Sequence, residues 1–462
     1  MPDDGDNLNR REFCQKVTAI PLTAAVLGSR SASASPSDRD NQIYGTVRGV
    51  VENGYVQAKG KRSHVSGSEQ TYFIDYLPEG EQKLRLRAGD DWIYKATVDV
   101  EGRTRHDVTQ DTIRFTYTRP PSSKDEMKQR IDELVSAGVT DLCVETFFHG
   151  ETIYDSDIAS EQRQITYSDG YFRDIIEYAH GVGLRIHAWV QSLYWYNLPY
   201  IGTPPEGHLL AGDDPVVHED EVYYINKDLA TWDKTGENLT AEGGKVFASP
   251  FNDEVVDTLT AIVEEIDGRF DVDGISLDYT RFPGGDGPQL PRQYGYEPAS
   301  PYDETRHSDQ DKYSNNDLHD FRVEAVHDLG VEVGSAIGRG TIYSTAVFPA
   351  YYTGENDFDR YKSQDWISWI GEADIDWIFP MCYALDPNSE EETLKAKDEE
   401  VAFSLDAQEH GVTVQPVLAI TSGHPELQVQ YDELYANRNF AGYGVWKAEA
   451  LLEDDSYGEE MP

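Results

Sequence analysis

The run Asp271-Val272-Asp273-Gly274-Ile275-Ser276-Leu277-Asp278-Tyr279-Thr280-Arg281-Phe282-Pro283 places an acid at the end of a short apolar strand pattern. Side chains along a strand alternate faces. With Ile275 and Leu277 on one face, Gly274, Ser276 and Asp278 share the other, and Asp278 is the last of them. An anion held at a strand end is solvated, paired or used in chemistry. Pairing with Arg281 is the plain structural role; a location at the open end of a sheet favours chemistry.

The same alternation reads Arg185-Ile186-His187-Ala188-Trp189-Val190-Gln191 as a strand that sends His187, Trp189 and Gln191 inward. In Asp141–Thr146 it sends Cys143 and Glu145 inward. Pro380-Met381-Cys382-Tyr383-Ala384-Leu385-Asp386 adds Tyr383 and a third carboxylate. Asp386 precedes Pro387, a position that also suits the start of a turn. His187 suits either a substrate hydroxyl or Asp278, or a hydrogen-bonded place in the core. Trp189 offers a flat apolar face that matches a pyranose ring. Two carboxylates among aromatics are the minimum equipment for glycoside hydrolysis: one protonates the leaving oxygen, the other attacks the anomeric carbon or activates water. Asp278 is assigned as nucleophile or base, Glu145 as first choice for the acid and Asp386 as second. His187, Trp189, Gln191, Trp195, Arg281, Tyr383 and Trp446 are expected to shape the sugar site. No HExxH, no GxxxxGK[ST], no GxGxxG after a strand and no GxSxG occurs, so neither a metal nor a cofactor is expected.

These residues need a frame that gathers strand ends. From residue 112 the pattern alternates strand and helix. Eight strand-like runs occur: Ile113–Tyr117, Asp141–Thr146, Arg185–Val190, Gly274–Asp278, Ile342–Phe348, Trp377–Met381, Thr413–Leu418 and Gly442–Trp446. Ser123-Lys124-Asp125-Glu126 caps one intervening helix, and Val255, Leu259, Ile262, Val263 and Ile266 give another its apolar face. Eight such units predict a (β/α)8 TIM barrel over 112–455, in the α/β class. Insertions at 191–248 and 279–313 follow the third and fourth strands, and therefore rise from the C-terminal face where barrel enzymes build their sites. The first carries Tyr194, Trp195 and Tyr196, expected to line a substrate cleft. Residues 40–110 read as a small N-terminal β-sandwich, with Asn53-Gly54 as a hairpin signal.

The chain has 462 residues, 39 basic against 85 acidic, and a formal net charge of −46. Such a charge excludes nucleic acid and an anionic membrane surface as partners. The 11% aromatic content excludes an acidic disordered chain. Concentrated salt would screen the self-repulsion, so a salt-adapted protein from a halophile is expected. Asn9-Arg10-Arg11-Glu12-Phe13, the apolar run Val17–Leu27 and Ala32-Ser33-Ala34 make residues 1–34 a twin-arginine signal peptide, implying a secreted protein with no membrane insertion. Cys143 and Cys382 then remain, without a CxxC.

Val272–Pro283 resembles the strand-four signature of the glycosyl hydrolase-like family ten proteins. Gly138-Val139-Thr140 through His149-Gly150-Glu151-Thr152-Ile153-Tyr154, Gly183–Trp189 and Ile378–Tyr383 follow in the family's order, covering 112–446. The resemblance implies a (β/α)8 domain, often exported, acting on a polysaccharide or cell-envelope glycan, with the strand-four Asp, here Asp278, as nucleophile. Asp278-Tyr279 stands where members often carry Asp-Asp, and Phe147-Phe148-His149-Gly150-Glu151 where they usually read Arg-Pro-x-Gly-Asp. The rival reading is a non-catalytic glycan-binding or envelope protein on the same barrel. A carbohydrate esterase or deacetylase is disfavoured by the lack of a metal triad.

Overall fold

A computed structural model describes residues 41–461 apart from 89–90, 101–102, 106–107, 110–112, 164, 234–238, 284–293, 302–315, 339–340, 350–362, 370–372, 374, 387, 407–411, 435–441 and 455–460. The expected leader at 1–34 lies outside the described residues, as does most of the insertion at 279–313.

Six N-terminal strands form one sheet: β1 (Gln42–Ala58), β2 (Lys61–Asp75), β3 (Gly80–Ala88), β4 (Asp91–Val100), β5 (Arg103–Arg105) and β6 (Val108–Thr109), with the path β2-β1-β3-β4. One face buries Val56, Ala58, Leu84, Leu86, Val98 and Val100 in a core of its own. The hairpin between β1 and β2 does not turn at Asn53-Gly54. Gly54 sits inside β1 at a register irregularity, and the chain reverses at Lys59-Gly60, with φ of 48° and 77°. A tight two-residue hairpin of this twist needs positive φ at both central positions, which those two residues supply.

The barrel strands are β7 (Ile113–Thr118), β8 (Asp141–Phe148), β10 (Arg185–Gln191), β16 (Gly274–Asp278), β17 (Ile342–Val347), β18 (Trp377–Cys382), β19 (Thr413–Val414) with β20 (Val417–Ala419), and β21 (Gly442–Trp446). All pair in parallel, and the β10–β8 and β21–β7 pairings close the ring. The expected seventh strand is split in two. Pro416 has no N–H to give the ladder, so β19 and β20 pair β18 separately on either side of it. Between strands, Ser123 accepts the Glu126 N–H and Asn252 accepts the Glu254 N–H, opening the helices Lys124–Ser136 and Asp253–Arg269. Val255, Leu259, Ile262, Val263 and Ile266 are buried, each worth about 1.5–3 kcal/mol against the sheet. Inside the ring pack Phe115, Tyr117, Cys143, Trp189, Trp377 and Phe379. Among the described residues no helix is long and apolar enough to cross a membrane.

The insertion after β10 folds into β11 (Tyr194–Asn197), the hairpin β12 (Asp214–His218) and β13 (Glu221–Ile225), then β14 (Thr240–Ala241) and β15 (Lys245–Phe247). A two-residue strand β9 (Glu151–Thr152) folds back on β8. Tyr194, Trp195 and Tyr196 are all buried and continue the core that lies between barrel and helices.

Candidate active site

Register sorts the inward residues by depth. Cys143, His187 and Gly274 share one level, Glu145, Trp189 and Ser276 the next, and Gln191 stands beside Asp278 at the mouth. Four residues of strand separate His187 from Gln191, about 13 Å.

His187 is therefore a correction to the sequence reading. It lies at the bottom of the barrel, where its Nε2 donates to Asp141 Oδ1 at 2.8 Å. Its ring fills the space a Cβ on Gly274 would need, with Nδ1 only 2.2 Å from that position. Asp141 also accepts Thr140 Oγ1 at 2.6 Å and Arg185 Nη2 at 2.8 Å. Burial alone would raise its carboxyl, but Arg185, His187 and Thr140 outweigh that and hold it down at about 2.

At the mouth, Asp278 ends β16 half-buried. Its Oδ2 accepts the Trp189 Nε1–H at 3.2 Å and its Oδ1 the Tyr279 N–H at 2.6 Å. Tyr279 adopts φ 55°, which turns the backbone sharply as it leaves the strand. Burial pushes the Asp278 carboxyl above the ordinary range, against the pull of that N–H, Arg281, Trp189 and Lys245. Around it stands an aromatic wall. Trp189 meets Tyr117 at 5.2 Å and Trp446 at 5.6 Å, edge to face. Trp446 and Tyr383 are half-exposed beside the site. Burial first, and Asp278 next, lift the Tyr383 phenol well above its usual value, so it keeps its proton.

Glu145 is placed differently from its expected role. It is wholly buried, and Arg119 grips it with both Nε and Nη2, the latter at 3.1 Å from Oε1. Gln191 Nε2 donates to the same Oε1 at 2.5 Å. Burial raises this carboxyl, Arg119 opposes, and Asp278 adds to the rise. With both oxygens taken and no exposed edge, Glu145 anchors Arg119 and does not open on the mouth as a proton donor. Arg119 follows β7 directly, keeps 45% of its side chain exposed and lies 4.6 Å over the Phe148 ring. Sequence reasoning missed it; the available signal was its place one residue past the first barrel strand.

Asp386 is half-buried and its Oδ1 accepts Asn388 N at 2.7 Å and Asn388 Nδ2 at 2.6 Å, the turn its sequence neighbourhood suggested. Arg281 is not offered to a ligand. It is 6% exposed and grips Glu242 through Nη1 at 2.8 Å and Nη2 at 3.1 Å, stacked 4.9 Å over Tyr279. Glu242 opens the turn Glu242-Gly243-Gly244 between β14 and β15, all three at positive φ, and no sequence pattern marked it. Lys245, from the same turn, lies over Tyr194 and Tyr279 at 5.2 and 5.4 Å. Trp195 is a further correction. Only 1% exposed, it donates Nε1–H to Ser192 O at 2.8 Å and meets Phe147 edge-on. A large ring beside a short sheet gains more from burial than from display, so it holds the insertion in place and cannot stack on a ligand. Among the described residues no three His, Cys, Asp or Glu side chains gather as a metal site.

Eight parallel strands closed into a ring with helices between them are the fold of the glycoside hydrolase TIM barrels. The chain belongs to the glycosyl hydrolase-like 10 family, whose profile matches residues 108–404, well over half of its length. Among solved structures it is similar to the PgaB (BpsB) glycoside hydrolase domain from Bordetella bronchiseptica, at 14% identity and TM-score 0.50 over 74% of this chain and 98% of that one. The catalytic domain of β-amylase from Paenibacillus polymyxa matches at 10% identity and TM-score 0.50, over 74% and 93%. At these identities the likeness concerns the fold. None of the curated proteins compared with the chain matches it.

Proposed function

We propose that this protein hydrolyses glycosidic bonds in a polysaccharide or cell-envelope glycan laid across the barrel mouth. The observation that carries the reading is Asp278: a half-buried carboxylate at the end of the fourth strand, oriented by one donor on each oxygen. In this reading Asp278 attacks the anomeric carbon or activates water. Trp189 and the Tyr279 N–H fix its rotamer, and Trp446 and Tyr383 border the sugar. Asp386 replaces Glu145 as the proposed proton donor, because its Oδ2 carries no hydrogen bond among the described residues whereas Glu145 is sealed. The test is release of new reducing ends from a polysaccharide panel, comparing the parent chain with Asp278→Asn. Turnover by the parent that the substitution abolishes is the expected result. The sealed Glu145 favours one alternative, a glycan-binding protein without catalysis; saturable binding to a polysaccharide with no turnover in either chain would establish it.

We further propose that the protein is exported and salt-adapted. The twin-arginine run at residues 10–11 supports export, and a reporter fused after residue 34 should leave the cytoplasm unless both arginines become lysine. The acidic excess supports salt adaptation. Lowering salt from molar to about 0.1 M lengthens the Debye length from ~3 to ~10 Å. The melting temperature should then fall steeply; a flat response would sink the idea.

A further inference from the structure

The charge of this chain is not evenly distributed. Residues 41–109 hold ten acidic and ten basic residues, whereas 110–462 hold 69 acidic against 24 basic. The acidic excess therefore belongs to the barrel, and the N-terminal sheet is neutral. Nearly all of that sheet also lies before residue 108, where the family match begins.

Within the neutral sheet a cluster of cations shares one face. Val56, Ala58, Leu84 and Leu86 face the core. The residues between them face outward. Strand register aligns Arg62, Gln57 and Arg85 in a row straight across β2-β1-β3. The adjoining row holds His64, Tyr55 and Arg87, and Lys83 occupies the next position along β3. Contacts confirm the shared face. Arg62 lies 4.3 Å over the Tyr55 ring and its Nε donates to Gln57 Oε1 at 2.8 Å. His64 meets the same ring at 6.1 Å, and Arg87 Nη1 donates to the Tyr55 hydroxyl at 3.4 Å. Arg62, His64 and Lys83 are exposed, and Arg85 and Arg87 half-buried.

We propose that this basic face of the N-terminal sheet binds an acidic polysaccharide, one bearing carboxylate or sulfate groups, and tethers the barrel to it. The proposal rests on the glycan reading above and adds the charge class of the glycan. Along a row, positions on neighbouring strands repeat about every 4.8 Å, a spacing comparable to one sugar residue. Arginine forks match carboxylate and sulfate oxygens. The acidic excess lies in residues 110–462, so an anionic polymer is attracted first to the locally basic face of the neutral sheet. A thin extended chain lies along this face without bringing its bulk to the barrel; a folded acidic protein does not.

The test uses the full-length Asp278→Asn chain, folded by circular dichroism at about 0.3 M salt, and titration calorimetry. Polygalacturonate is the probe, dextran the neutral glycan and polyglutamate the polyanion without sugar. Polygalacturonate should bind saturably and dextran should not. Replacing Arg62 and His64 together by Gln should weaken binding about tenfold, as for one lost charge-assisted contact. Lys83→Glu, one position along β3, gives an independent loss should the double variant melt early. Absence of polygalacturonate binding, or binding unchanged in both variants, overturns the proposal. Equal binding of polyglutamate overturns the glycan assignment and gives the face to an acidic protein. The titration reads binding and never turnover, so its failure leaves the role of Asp278 untouched, and failure of hydrolysis leaves this face untouched.

Discussion

Asp141 and Asp278 sit at opposite ends of the same barrel, and their surroundings have opposite effects. Asp141, at the start of β8, collects Arg185, His187 and Thr140 and is held down at about 2. Asp278, at the end of β16, has no ion pair within 4 Å among the described residues, although Arg281 and Lys245 stand near enough to pull on its carboxyl. Arg119 is held by Glu145, and Arg281 and Lys245 by Glu242. These cations are matched to carboxylates other than Asp278, and Asp278 is raised. The bottom pair is built for stability. The mouth keeps one carboxylate supplied with hydrogen-bond donors but without an ion pair, which is what the proposed catalytic role of Asp278 calls for.

The largest effect that tests this contrast is on turnover. Asp278→Asn is nearly isosteric and should lower turnover by several orders of magnitude. Its melting temperature at pH 7 should hold or rise, because a raised carboxylate destabilises the folded state while ionised. An active, folded Asn variant removes Asp278 from the mechanism. The raised carboxyl also sets the acid limb of the rate profile, which should lie at higher pH than for an ordinary aspartate.

At the bottom the same substitution should act on stability alone. Asp141→Asn leaves Arg185 and His187 without their shared anion and should cost about 3–5 kcal/mol in denaturant unfolding, with turnover per folded molecule unchanged. Loss of turnover without loss of stability would place Asp141 in the site and erase the contrast. Trp195→Ala probes the layer between the two ends. It should cost a similar 3–5 kcal/mol through a core cavity, and leave ligand affinity of the folded fraction intact. A stable variant with weakened binding would return Trp195 to the cleft.

Much of this frame was legible beforehand. Seven of the eight strand runs stand within two residues of their expected ends, because buried parallel strands read as continuous apolar runs. Pro416 broke the remaining run, and its missing N–H was a readable warning. Alternation sent Glu145, His187, Trp189, Gln191 and Asp278 inward, but gave no depth: His187 and Gln191 look alike on paper and stand about 13 Å apart. The pairings Arg119–Glu145 and Arg281–Glu242 were not legible, since each joins segments far apart in sequence. Trp195 was misread because aromatics in an insertion suggest a cleft, while the insertion has a core of its own.

The smallest expected effect concerns acid. In the unfolded chain Asp141 titrates near the ordinary aspartate value of about 3.9. Its folded value of about 2 means that ionised Asp141 stabilises the fold at all pH above the unfolded value. That contribution, on the order of 2 kcal/mol, is lost progressively as pH falls from about 5 towards 2. Asp278 runs the other way: its raised carboxyl gains its proton earlier in the folded state, so its destabilising charge is relieved as pH falls. Unfolding free energy of Asp141→Asn should therefore fall less with acid than that of the parent, by about 2 kcal/mol between pH 5 and 2. For Asp278→Asn it should fall more steeply than the parent, because the relief is gone. Denaturant titrations of the three chains at matched salt measure both slopes. Parallel curves for parent and Asp141→Asn would show that the bottom network does not depend on that charge, and the division between a stabilising end and a reactive end would then rest on Asp278 alone.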